Sequence, residues 1–190
     1  MIRLNAEPSS LRGASMLERR DLLMQCELFK ADARWMLEQI GVGRNWWTID
    51  IGCGPLGILD LLAESTGPGT HVIGLERDPN MLEFGRELIT ERGLDAVRLI
   101  QGDAHETGLP TSSFDFTHSR LLLADVPNPM SVVSEMARIT RPGGWVALEE
   151  LDWGTDAESR LTRLLMQAGL THVHCKIHTS LYQAWGCKTV

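Results

Sequence analysis

The chain has little of what would tie it to a membrane, a nucleic acid or an oxidising compartment. No apolar stretch approaches the roughly 18 uninterrupted residues that a membrane-spanning helix needs. The amino-terminal segment MIRLNAEPSSLRGASMLERRD has no apolar core, so no secretory leader is expected. Lys and Arg never gather into a run, and 18 of them stand against 25 Asp and Glu, a formal net charge of −7. That balance disfavours phosphate-backbone binding and suits a cationic small molecule. The four cysteines, Cys26, Cys53, Cys175 and Cys187, form no Cys-x-x-Cys pair and no metal-ligand spacing. Reduced thiols in a cytoplasmic protein are therefore expected. Internal repeats, low-complexity tracts and long Gly/Ser/Pro linkers are missing as well.

What is present is ordinary globular material: 190 residues, 43% of them hydrophobic, enough for one sizeable core. The first 40 residues read as helix, with Phe29, Ala33, Met36, Leu37 and Ile40 forming one apolar stripe that Gly41 and Gly43 end. Strands and helices then alternate. Trp46–Ile51, His71–Leu75, Val97–Ile100, Ser113–His118 and Trp145–Leu148 read as strands; about 57–64, Asn80–Arg92, Asn128–Thr140 and Asp156–Ala168 read as helices. Such alternation predicts an α/β fold with a doubly wound, mainly parallel sheet, whose ligands sit beyond the carboxyl ends of the strands. Two regions follow: residues 1–42 as an amino-terminal helical cap and 43–190 as the sheet domain.

The most informative segment is Asp50-Ile51-Gly52-Cys53-Gly54-Pro55-Leu56-Gly57, between the first strand and its helix. Glycines let the chain turn tightly and bring backbone N–H groups against a ligand. Gly52-x-Gly54-x-x-Gly57 also satisfies the dinucleotide fingerprint. Asp50 at the strand end tilts the choice, because a carboxylate repels a pyrophosphate and attracts an ammonium or sulfonium. Glu76, the acid at the end of the next strand, suits both hydroxyls of a ribose.

With these residues in register the chain resembles the class I S-adenosylmethionine-dependent methyltransferases, of the small-molecule type that includes the ubiquinone and menaquinone biosynthetic enzymes. Four further segments carry the resemblance: Gly102-Asp103-Ala104, Phe114-Asp115-Phe116, His118-Ser119-Arg120 and Arg141-Pro142-Gly143-Gly144. The match runs from about Gly43 to Leu151. It implies S-adenosyl-L-methionine as cofactor and methyl transfer to a small-molecule acceptor by in-line displacement. Asp50 with the Gly52–Gly54 backbone would hold the amino-acid end and Glu76 the ribose diol, with little bearing on fold stability. Arg77 belongs to the same implied set. Asp103 would accept from the adenine amine while the Ala104 N–H donates to the ring, and Ser119 and Arg120 would face the methionine part. Asp115 is expected to be structural.

No catalytic residue is assigned. Glu149, Glu150 and Asp152 at the fifth strand's end, with His105 and His118, are the candidate bases, although strand-end acids are usually solvated. His172, His174, Cys175 and His178 are not read as a metal site, because alternation puts Cys175 on the opposite face from the histidines. The segment between the fifth strand and the next helix, Asp152–Thr155, is shorter than in the family. A sixth strand is expected at 172–179, while Leu181–Val190 is a weak seventh because it is short and contains Gly186. The acceptor side is expected to be lined by Met16–Ile40, Leu121–Pro127 and Glu149–Trp153. Partner expectations are no nucleic acid, no membrane, and a homodimer as an open option. Other readings are a cofactor-binding protein that does not methylate, an RNA or protein methyltransferase, and a nicotinamide dehydrogenase.

Overall fold

The computed structural model describes residues 16–151, 156–178 and 181–189. The amino-terminal helical region is two helices, α1 (Met16–Leu28) and α2 (Lys30–Ile40), separated at Phe29. The predicted stripe is the buried one: Phe29, Ala33, Met36, Leu37 and Ile40 all enter the core. The alternating body is β1 (Thr48–Ile51), α3 (Leu59–Thr66), β2 (Val72–Glu76), α4 (Pro79–Arg92), β3 (Val97–Gln101), β4 (Phe114–Arg120), α5 (Pro129–Ile139), β5 (Thr140–Leu151), α6 (Ala157–Gln167), β6 (Thr171–His178) and β7 (Leu181–Cys187).

The strands form one sheet in the order β3-β2-β1-β4-β5-β7-β6. β1 to β5 pair in parallel, and β7 runs antiparallel between β5 and β6. Strand order reverses between β1 and β4, and in open α/β sheets the ligand crevice lies at that reversal. One face carries α2, α3 and α4 over residues such as Met36, Leu59 and Leu88. The other carries α5 and α6 over Val133, Met136, Leu161 and Leu165.

Local chemistry explains the element ends. Asp78 caps α4 by accepting from the Asn80 N–H, with Pro79 as the first helical residue. Asn128 and Pro129 start α5 in the same way. At the far end of α5 the Lys188 ammonium donates to the carbonyls of Ala137 (2.9 Å) and Thr140 (2.7 Å), a cation where a helix exposes its partial negative charge. Asp115 is structural: its carboxylate accepts the Trp47 N–H at 2.8 Å and pairs with Arg141, tying the start of β4 to β1.

The seventh strand, weak by pattern, is fully formed, and Gly186 is part of the reason. A Cβ at that position would stand 3.1 Å from Leu170 Cβ and from Val173 Cγ2. The glycine thus marks a close approach rather than a break. On the adjacent edge strand His174 stacks on Trp185 with centroids 5.7 Å apart, and Lys176 lies over the Trp35 ring. The outward face of β6 is therefore partly covered by α2. The calls at residues 1–15, and those on Asp152 and Trp153, lie outside the described residues, as do the surroundings of the His178 side chain.

Candidate functional site

The glycine loop leaves β1 at the sheet's reversal point, and its amides point inward. The N–H groups of Gly52 and Cys53 both donate to the Leu75 carbonyl, at 2.8 and 3.1 Å. The Gly54 N–H donates to Glu76 Oε2 at 3.0 Å. Just before α3, the Ile58 N–H donates to Asp50 Oδ2 at 3.0 Å. A pyrophosphate needs free N–H groups and an empty helix N-terminus. Here the amides are engaged and a carboxylate already sits at that terminus. Gly57 permits this arrangement. Its φ is +51°, and a Cβ there would overlap the Asp50 carboxylate.

A cavity of about 120 Å³ opens beside the loop and brings together Gly52, Glu76, Arg77, Asp103 and Ala104. Leu122, Val126 and Pro127 of the loop after β4 form its apolar wall. Whole-ligand pockets usually measure several hundred Å³, so this cavity matches one end of a nucleoside-containing ligand. Glu76 does more than face it. Its Oε1 accepts the N–H groups of Arg77 (2.7 Å) and Asp78 (2.8 Å), so one carboxylate fastens the glycine loop to the turn after β2. The expectation that Glu76 matters little for stability is corrected by these bonds.

Asp103 Oδ1 accepts both the backbone N–H and the imidazole of His105, each at 2.8 Å. The His105 backbone and ring hold the Asp103 carboxyl below its usual range, so it stands ionised at the cavity edge. His105 is thereby an orienting partner of Asp103 at the nucleoside end.

Asp50, Ser119 and Arg120 lie deeper than the cavity. Asp50 and Ser119 are 1% and 0% exposed. Arg120 donates from Nη2 to the Gly57 carbonyl at 3.0 Å and sits beside Cys26 of α1. Burial pushes the Cys26 thiol up, outweighing that guanidinium. Trp35 faces away from this end and packs edge-on against Trp185.

The strand-end acids are not solvated. His118 Nδ1 donates to Asp50 Oδ1 at 2.7 Å and Nε2 lies 3.1 Å from Glu149 Oε2, with all three side chains buried. Gln183 donates one amide hydrogen to Glu149 Oε1 at 2.5 Å and the other to the Asp32 carbonyl of α2 at 2.8 Å. A polar row thus crosses β1, β4, β5 and β7. Glu150, 2% exposed, takes the N–H groups of Leu122 and Leu123 at 3.0 and 2.8 Å and turns the loop after β4, where Leu121 has φ +55°. Of the candidate bases, His118, Glu149 and Glu150 are therefore sealed within the sheet. Gln183 escaped sequence reading; a polar residue inside an otherwise apolar strand was the available signal.

The profile of the methyltransferase-domain family matches residues 49–148. The chain belongs to this family. Demethylmenaquinone methyltransferase from Listeria monocytogenes is 39% identical over 124 residues, 63% of this chain and 52% of that protein. The Geobacillus kaustophilus enzyme of the same name is 35% identical over 119 residues, 61% of this chain and 51% of its own. The chain spans about half the length of these curated relatives. Among solved structures, a SAM-dependent methyltransferase from Aquifex aeolicus has a TM-score of 0.76 at 17% identity, covering 88% of this chain and 96% of that one. Haemonchus contortus phosphoethanolamine N-methyltransferase 2, solved with S-adenosyl-L-methionine, has 0.71 at 16%, covering 84% and 53%. These two share the fold. No helix among the described residues is long and apolar enough to cross a membrane.

The methyltransferase-domain site carries a pH signature. Burial alone would drive His118 towards neutrality, but the Asp50 and Glu149 carboxylates outweigh it and raise its pKa from 6.5 to about 9. That stabilisation is complete below the unfolded value and is lost as pH rises through the folded one. Burial raises Glu150 from 4.5 to about 7, which likewise favours the folded chain on the acid side. The Arg138 guanidinium holds Glu135 down at about 2, against burial, so its contribution is present above 4.5 and fades towards 2. The melting temperature is expected to be highest near pH 4.5, to fall as Glu150 ionises, and to fall further towards pH 9 as His118 loses its proton. Calorimetric scans across that range check it; a melting temperature that rises from pH 6.5 to 9 would contradict the assignment.

Proposed function

We propose that the chain binds S-adenosyl-L-methionine at the glycine loop and transfers its methyl group to a small-molecule acceptor. The observation that carries this reading is the inward orientation of the loop amides together with the Asp50 carboxylate at the start of α3. That surface is hostile to a pyrophosphate and compatible with an ammonium. Glu76 fits a ribose hydroxyl, since its three backbone partners leave one of the carboxylate's about four lone-pair sites open. Asp103, ionised and oriented by His105, fits an adenine amine, and the neighbouring Ala104 N–H fits a ring nitrogen. The Gly52–Gly54 backbone, Arg77, Ser119 and Arg120 complete the proposed set towards the amino-acid end, with Asp50 acting through the loop and its field.

Bound there, S-adenosyl-L-methionine supplies an electrophilic methyl group on a sulfonium that departs as a neutral thioether. The chain's own work is alignment and exclusion of water, an entropic contribution rather than proton transfer. With His118, Glu149 and Glu150 buried and engaged, no buried base is invoked. The apolar wall of Leu122, Val126 and Pro127 suits the flat face of the adenine, and α1, beside Arg120, stands on the proposed acceptor side. The names of the relatives point to a demethylmenaquinone-like ring.

S-adenosylhomocysteine should raise the melting temperature by mass action, because it binds only the folded chain, and NAD should leave it unchanged. A shift with NAD and none with S-adenosylhomocysteine would sink the proposal. A methylated product from a demethylmenaquinone analogue tests the acceptor separately.

A further inference from the structure

We infer that Gln183 and His118 are positioning residues: with Asp50 and Glu149 they form a tether, hydrogen-bonded across four strands, through which the seating of α2 sets the shape of the glycine loop. The inference rests on the proposal that this loop holds the cofactor. At one end the Gln183 amide grips the Asp32 carbonyl within α2. At the other, Asp50 fixes the Ile58 N–H ahead of α3. The links follow the strand register, with Asp50 opposite His118 and Glu149 opposite Gln183. Arg120 adds a second thread, since it lies 3.8 Å from Glu149 and donates to the Gly57 carbonyl.

Three features make this more than scaffolding. The four side chains are at most 1% exposed, so water cannot replace a broken link. Apolar residues of the same shape would fill the space without desolvating two carboxylates and an imidazole. Each of the four joins two neighbours, and the row's ends lie on separate helices. The charged and titratable groups around His118 are Asp50 from β1, Glu149 and Glu150 from β5, Arg120 on its own strand and, beyond Arg120, Cys26 of α1.

Amide hydrogen exchange on the unliganded full chain tests the tether. Gln183→Met should speed exchange at residues 52–58 and in α2 by about ten-fold, while β2, β3 and α4 stay unchanged. Faster exchange confined to the β6–β7 hairpin would overturn the inference. A second measurement needs no variant. In the wild-type chain, NMR of the imidazole gives the pH at which His118 loses its proton. Exchange at residues 52–58, corrected for intrinsic base catalysis, should loosen at the same midpoint, and the dissociation constant for S-adenosylhomocysteine should rise with it. A loop that stays protected while His118 deprotonates overturns the tether. Failure of the wild-type chain to bind S-adenosylhomocysteine at any pH would instead remove the cofactor reading, with the exchange comparison still deciding the tether.

Discussion

His118→Leu is expected to lower stability by about 3–5 kcal/mol, because it strands two carboxylates that the imidazolium now separates. For a chain of this size such a loss moves the melting temperature down by about 6–15 °C. The reasoning is electrostatic rather than steric. Leucine fills much of the imidazole's volume beside Phe116, whose ring stacks at 6.1 Å, so the cavity left behind is small. What is lost is a donor to Asp50 Oδ1 and to Glu149 Oε2, both of them buried. In the wild-type chain the His118 contribution is complete below pH 6.5 and is lost towards about 9, so the deficit is compared at pH 6. Urea unfolding of the two chains at that pH reads the loss. A loss under 1 kcal/mol would show that the row is not ionised as described.

The extent to which this was readable beforehand follows from the range of the physics involved. The strand–helix alternation was legible because hydrophobic period is local: the α2 stripe ending at Ile40 and the α5 residues Val132, Val133, Met136 and Ile139 are buried as their spacing requires. Asn128 announced a helix start through chemistry confined to three residues. β7 was harder, because Gly186 weakens a strand by propensity, and only the approach of Leu170 and Val173 explains it. The polar row was not legible at all. His118, Glu149 and Gln183 are separated by 31 and 34 residues and meet only because the sheet places β4, β5 and β7 side by side. Alone, Glu149 reads as a solvated strand-end acid and His118 as a candidate base. The motif Gly52-x-Gly54-x-x-Gly57 likewise marks a tight turn without saying which way its amides point, and that direction separates an ammonium site from a phosphate site.

Glu76→Ala should weaken S-adenosylhomocysteine binding by at least about ten-fold, since the charged acceptor proposed for the ribose disappears. The same substitution should lower stability by about 1–3 kcal/mol, because the carboxylate also serves the Gly54, Arg77 and Asp78 N–H groups. The Gly54 amide is the one that matters most: it lies in the partly buried loop, whereas the Arg77 amide is exposed and water can replace its partner. The two losses have different origins and can be read separately. Calorimetry well below the melting temperature reports affinity on a fully folded chain, and urea unfolding without ligand reports stability. Glu76→Gln keeps one oxygen acceptor but turns its NH2 towards either the Gly54 N–H or those of Arg77 and Asp78, so it should restore only part of the stability and part of the affinity. An alanine variant that loses stability but keeps full affinity would remove Glu76 from the ribose site. One that loses affinity at unchanged stability would show that the bond to Gly54 does not hold the loop.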